Sequence, residues 1–166
     1  MHKNLKILTI NAVLAACYVV ITALFASFSF GVIQVRVSTA LYQLVAYDKK
    51  FYWGMVLGVV VANLLFSPFG LLDILVGLGV TGIGLAVAIL INQRTQNLLV
   101  RSVVVGLCVS CGMIFVALEL HAVSHVPFWL TYAYLFAGQL ISQIIGYVIF
   151  AVINRKVKLV DLVKQA

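Results

Sequence analysis

Polar residues in this chain punctuate long apolar runs. Nearly unbroken apolar sequence covers residues 7–28, 37–47, 51–66, 70–91, 103–120 and 128–153. A helix rises about 1.5 Å per residue and needs about 20 apolar residues to cross the hydrocarbon core of a bilayer. The run 51–66 is marginal by that measure, and 37–47 reaches only roughly 16 Å as a helix. So short a segment is tolerated at membrane depth where it is buried in protein or lines a cavity. The pattern predicts an all-α integral membrane protein, a bundle of six transmembrane helices whose second member reaches part-way. The whole chain, 1–166, is expected to form a single membrane domain.

Composition agrees: 64% of residues are hydrophobic and 9% charged, where soluble domains carry about 25% charged residues. No polar stretch is long enough for a separate soluble module. The net charge of +7 raises the question of nucleic acid, but the basic residues sit at the ends of apolar runs and form no aromatic-interleaved basic face. They report topology instead. Lys3, Lys6, Lys49, Lys50, Arg94, Arg101, Arg155, Lys156, Lys158 and Lys164 all fall on one side of a six-span bundle, and Arg36 alone on the other. The excess of Lys and Arg in cytoplasmic loops then places both termini in the cytoplasm. No cleavable signal peptide is expected. The first run, from Ile7, is too long for a signal core and ends in no small-residue cleavage site.

Three charges remain for chemistry. Arg36, Asp73 and Glu119 are embedded in apolar sequence, where a mid-helix guanidinium costs roughly 2.5–3.5 kcal/mol on insertion scales. An intramembrane ionisable group marks a functional site by default. With six spans the outward loops are 29–36, 67–69 and 121–127. Gln34, Arg36, Asp73 and Glu119 lie in or within about one turn of them, with Asn63 a turn deeper. That is the arrangement of a pocket open to the outside. One acid can pair with Arg36 structurally; the surplus acid favours a cationic or donor-rich ligand.

Other motifs read more plainly. Gly77-Leu78-Gly79-Val80-Thr81-Gly82 has dinucleotide-loop spacing but lies inside an apolar run, with no strand before it and no acid about 20 residues on. Helix packing through small residues explains it better, as it does Gly54 and Gly58. Ala12 and Ala16 share a helix face that can dock another helix, within the chain or from a partner. Cys108 and Cys111 lack the βαβ context of a redox pair, and Cys17 likewise sits in apolar sequence. His121 and His125 stand four apart beside Glu119, but Pro127 follows; solvated loop histidines are expected rather than a metal site. No phosphate-binding loop is present, so active transport would draw its energy from another protein or from an ion gradient. No nucleophile accompanies the two acids, and no enzymatic role or cofactor is expected.

Five blocks of the sequence resemble the queuosine-precursor transporter family, QueT. They are Ser29-Phe30-Gly31-Val32-Ile33-Gln34-Val35-Arg36-Val37-Ser38, Ala62-Asn63-Leu64-Leu65, Gly70-Leu71-Leu72-Asp73-Ile74, Leu118-Glu119-Leu120 and Pro127-Phe128-Trp129. The resemblance covers nearly the whole chain. It implies a substrate-binding S component of an energy-coupling-factor transporter in the bacterial plasma membrane. Such a component binds a micronutrient from outside and docks on a membrane coupling subunit served by two ATPases. In that scheme Ala12 and Ala16 face the coupling subunit. The implied ligands are 7-deazaguanine bases, whose adjacent N–H and NH₂ groups suit a carboxylate. Glu119 or Asp73 can accept them, with Gln34, Arg36, Ser38 and Asn63 at the remaining polar edge and Tyr42 and Trp129 as stacking faces.

Two positions depart from the family pattern. Thr39 stands where an acid usually follows Arg-x-Ser, and Gln139 where Gly-Glu precedes the Ile-Ser of the last span. Both changes remove negative charge, which implies a preference for a less cationic relative of the aminomethyl base. Competing readings are an S component for another micronutrient, a self-sufficient secondary transporter or channel, and an intramembrane enzyme or assembly factor. Transporters that work alone usually carry paired repeats, and none is evident.

Overall fold

The computed structural model describes residues 2–26 and 36–157. Gln34, all of the expected loop 29–36 but Arg36, and Lys158 and Lys164 lie outside them. The described chain is helical. α1 (His2–Leu24) is followed by a 3₁₀ segment (Val37–Gln43) that runs into the one-turn α2 (Leu44–Tyr47). A 3₁₀ turn (Lys49–Phe51) opens α3 (Tyr52–Phe66). α4 (Leu71–Leu78) passes through a π-turn (Gly79–Ile83) into α5 (Gly84–Asn92), and α6 (Leu98–Ser124) and α7 (Phe128–Val157) complete the bundle.

Among the described residues, five stretches are long and apolar enough to cross a membrane: Leu5–Leu24, Lys49–Phe66, Leu71–Asn92, Leu98–Ser124 and Phe128–Val157. The run 37–47 does not supply a sixth of that length. It is short, mostly 3₁₀, and buried rather than lipid-facing, with Ala40, Tyr42 and all four residues of α2 in the core. It lies antiparallel along α1. Thr22 donates to Ser38 Oγ at 2.8 Å, Tyr18 and Tyr42 meet through their hydroxyls at 3.2 Å, and Asn11 Nδ2 donates to the Lys50 carbonyl at 3.0 Å. Protein on every side satisfies a backbone that lipid could not.

Small residues set how closely these elements pack. The Gly54 amide donates to Asn11 Oδ1 at 2.7 Å, which satisfies one of the orphan N–H groups at the start of α3. A Cβ at Gly54 would lie 2.7 Å from that same oxygen, and one at Gly58 would lie 2.8 Å from Tyr18 Cβ. The packing role expected for this pair is therefore the α1–α3 contact. At Gly146 of α7 a Cβ would overlap the carbonyl of Ala40, so α7 crosses the 3₁₀ segment backbone to backbone.

α6 is longer than its apolar run. Asn97 Oδ1 accepts from the Leu99 amide at 3.0 Å and caps the helix, bringing Arg101 inside it. At the other end the helix continues to Ser124 and stops at His125, whose φ of 53° is left-handed, a common helix ending. The expected loop 121–127 thus shrinks to three residues, because polar side chains beyond the hydrocarbon need not end a helix. His121 Nδ1 meets the Val126 carbonyl at 2.7 Å, and no metal-binding cluster occurs among the described residues.

The outside of the bundle is apolar and much of its inside is not. Trp53, Leu64, Leu71 and Ile144 are exposed, whereas Asn11, Thr22, Gln43, Asn63, Gln139 and Gln143 are buried. A large apolar exterior fits a lipid environment, and the buried amides then need partners from other helices.

Candidate functional site

A polar cleft opens between elements at the end of the bundle where Arg36 stands. Arg36, Thr39 and Tyr42 line it from the 3₁₀ segment, Asn63 from α3, Asp73 and Gly77 from α4, Thr81 from the π-turn, and Met113 and Val116 from α6. Its free volume is about 30 Å³, so a fused-ring ligand enters only if its walls part. Each wall residue has a local cause. Asp73 sits in the first turn of α4, where a carboxylate is favoured by the helix dipole. Its Oδ2 accepts from Ser67 Oγ, and its carbonyl accepts from Asn63 Nδ2 at 2.6 Å. Thr81 is the only hydroxyl in the run 70–91, and it lies in the π-turn, a distortion common at functional sites.

Glu119 borders this cleft one turn along α6 from Val116. It is buried, 7% exposed, and within electrostatic reach of Asp73 and Arg36. Among the described residues no donor group bonds to either of its carboxyl oxygens, and its close neighbour is the Asp73 carboxyl. Such a group is costly to hold without a partner.

Of the residues expected at the site, the structure brings together Arg36, Tyr42, Asn63 and Asp73, with Glu119 beside them. Ser38 is buried behind the cleft on Thr22. Gln139 is also a layer back, 3.2 Å from Thr39 Oγ1. Trp129 is not at the cleft. It is 76% exposed and packs edge-on against Phe128, a placement typical of tryptophans at the membrane interface. Tyr42 stacks on Tyr18 with ring centroids 5.8 Å apart, which occupies one of its faces.

Sequence reasoning missed Thr81 as a wall residue and took its motif for packing. Only part of that motif packs in this way: a Cβ at Gly77 would overlap Asn63 Nδ2, while Gly79 faces open space. The lone hydroxyl in a 22-residue apolar run was the available signal. Sequence could not show that the two departures from the family pattern, 100 positions apart, touch. The single Thr39 hydrogen is better placed for the Arg36 carbonyl at 2.6 Å. Turning the Gln139 amide over would then let its otherwise unpartnered Nε2 donate to Thr39 Oγ1. Behind them Gln143 Nε2 donates to the Thr39 carbonyl at 2.8 Å and Gln43 Nε2 to Gln143 Oε1 at 2.9 Å, which pins the 3₁₀ segment to α7.

An apolar exterior around a polar cleft defines the class: a helical, multi-pass membrane protein with a polar cleft between its helices. The model of a family described as QueT transporter matches residues 8–155. The chain is also 31% identical to the queuosine precursor transporter QueT of Lactococcus lactis subsp. cremoris (strain MG1363), over 95% of its own length and 96% of the relative's. No solved structure matches. This chain belongs to the QueT transporter family and is a membrane transporter.

Proposed function

We propose that this chain is the substrate-binding S component of an energy-coupling-factor importer, capturing a 7-deazaguanine queuosine precursor from outside and delivering it inward. The observation that carries the ligand reading is Glu119, a buried acid that no donor among the described residues satisfies, beside a cleft that already holds Asp73 and Arg36. A guanine-like edge presents two adjacent donors to one carboxylate. Asn63 and Arg36 meet its acceptors, and Tyr42 offers its remaining ring face. Relatedness to a transporter bearing the queuosine-precursor name supports the same ligand class.

The return of residues 38–50 along α1 supports a six-pass path, with the short second pass completed inside protein. Both termini are then cytoplasmic, in the bacterial plasma membrane. Ala12 and Ala16 point away from the bundle while Ala15 and Tyr18 point into it. That leaves a smooth small-residue face for the coupling subunit, which two ATPases would serve.

Titration of the purified chain with aminomethyl- and cyano-deazaguanine, queuine, guanine, riboflavin and thiamine tests the ligand. Tight binding of one deazaguanine is expected, and selective binding of a vitamin instead would sink the reading. The neutral Thr39–Gln139 pair is expected to favour the nitrile over the ammonium-bearing base. Gln139→Glu should raise the relative affinity for the aminomethyl base, and an unchanged ranking would remove this explanation. Ala16→Trp should abolish co-purification of the coupling subunit and ATPases while leaving ligand affinity intact. Retention of the partners would move the docking face elsewhere.

A further inference from the structure

Three hydroxyls form a buried line that ends at the cleft. Tyr18 OH is 3.2 Å from Tyr42 OH, and Tyr42 OH is 2.7 Å from Thr81 Oγ1. Tyr18 is fully buried, Tyr42 is 1% exposed and Thr81 2% exposed. Each hydroxyl has one hydrogen to donate, so three hydrogens serve two internal bonds and one must point out of the line. For it to leave from the middle, Tyr42 would have to accept from both neighbours, and a phenolic oxygen, its lone pair shared with the ring, is a poor double acceptor. If it left from the Tyr18 end, it would be stranded: Tyr18 OH has no hydrogen-bond partner besides Tyr42 among the described residues, and a buried donor without an acceptor is costly. At the Thr81 end the line meets the cleft, whose wall includes Thr81.

We infer that the line is polarised from Tyr18 through Tyr42 to Thr81, so that Thr81 presents a hydroxyl donor to an acceptor atom of the transported ligand. Thr81 is thereby a specificity-determining residue, and Tyr18 a positioning residue that never touches the ligand. Thr81 meets Tyr42 from within the π-turn at Gly79–Ile83. The arrangement complements the acids opposite: Asp73 and Glu119 accept from the ligand, while Thr81 donates to it. A ligand with donors on one edge and a carbonyl or ring-nitrogen acceptor on another satisfies both. This inference rests on the cleft being the ligand site, as proposed above.

The test compares Thr81→Val, Thr81→Ser, Tyr18→Phe and the Thr81→Val/Tyr18→Phe double variant by titration with the best ligand of the panel. Thr81→Val keeps the shape and loses the hydroxyl. Affinity should fall about tenfold in Thr81→Val, as for loss of one hydrogen bond to a ligand, and recover in Thr81→Ser. Tyr18→Phe should cost less than Thr81→Val, and nothing further in the Thr81→Val background, because its effect passes through Thr81. Wild-type affinity in Thr81→Val, or additive losses in the double variant, would overturn the inference. Thermal unfolding without ligand separates this inference from the ligand reading. Thr81→Val strands a donor inside the protein and should lower the melting temperature more than Tyr18→Phe, which strands none. The reverse order would refute the polarity even in a protein that binds none of the panel.

Discussion

Glu119→Gln is expected to weaken ligand binding by at least about a hundredfold and to leave the bundle folded. Hydrogen bonds to a charged group contribute about 1.5–3 kcal/mol each, and a carboxylate that receives two adjacent donors makes a pair of them. Glutamine keeps the size but offers one acceptor and turns the other position into a donor facing a donor. The same substitution removes a buried acid that no donor among the described residues satisfies and that crowds the Asp73 carboxyl, so the ligand-free melting temperature should hold or rise. Titration and thermal unfolding of the same preparation check both parts. Near-normal affinity in a folded Glu119→Gln protein would refute the assignment of the base edge to Glu119. Asp73→Asn is a poorer probe, because the Asp73 carboxylate accepts from Ser67 Oγ and the change disturbs the α3–α4 corner.

Gly146→Ala is expected to be among the most damaging single-atom additions, lowering stability by about 2–3 kcal/mol, in the upper range for overpacked sites. The added Cβ would overlap the Ala40 carbonyl, and a backbone atom cannot rotate away as a side chain can. Relief requires α7 and the 3₁₀ segment to separate, which breaks the bond from Gln143 to the Thr39 carbonyl and shifts the wall that carries Arg36, Thr39 and Tyr42. Ligand affinity should therefore fall together with the melting temperature. Gly106→Ala is the control: its Cβ would approach nothing closer than 3.4 Å, and replacing a helical glycine with alanine is mildly stabilising where there is room. Thermal unfolding of the two variants in detergent decides the matter. A neutral Gly146→Ala would mean that the crossing is looser than its geometry indicates.

Much of this protein was legible in the sequence because membrane spanning is written in run length. Four of the six expected runs became long helices within a few residues of their expected limits, and 51–66 became the helical part of Lys49–Phe66. The acids and Arg36, which the structure brings together, were legible as candidate site residues because lipid makes an intramembrane charge so expensive that each one needs a reason. Trp129 misled, because an aromatic ring beside a polar loop looks alike in a pocket wall and at the membrane interface. Glu119 and Asp73 could be named but not told apart. Only the contacts separate an aspartate held by Ser67 from a glutamate that no donor among the described residues holds.

By itself, then, the sequence determined the class, five of the helical spans, the family and the residue types of the cleft. These follow from local composition, periodicity and motif order, which need no knowledge of what touches what. The tertiary structure decided the rest. It laid the short run 37–47 as a buried strut along α1, joined Thr39 to Gln139 across 100 positions, and lined up Tyr18, Tyr42 and Thr81 on one wall. Those outcomes depend on long-range packing of glycine-notched helices and on where each buried polar group finds its partner. Hydropathy along the chain carries no record of either.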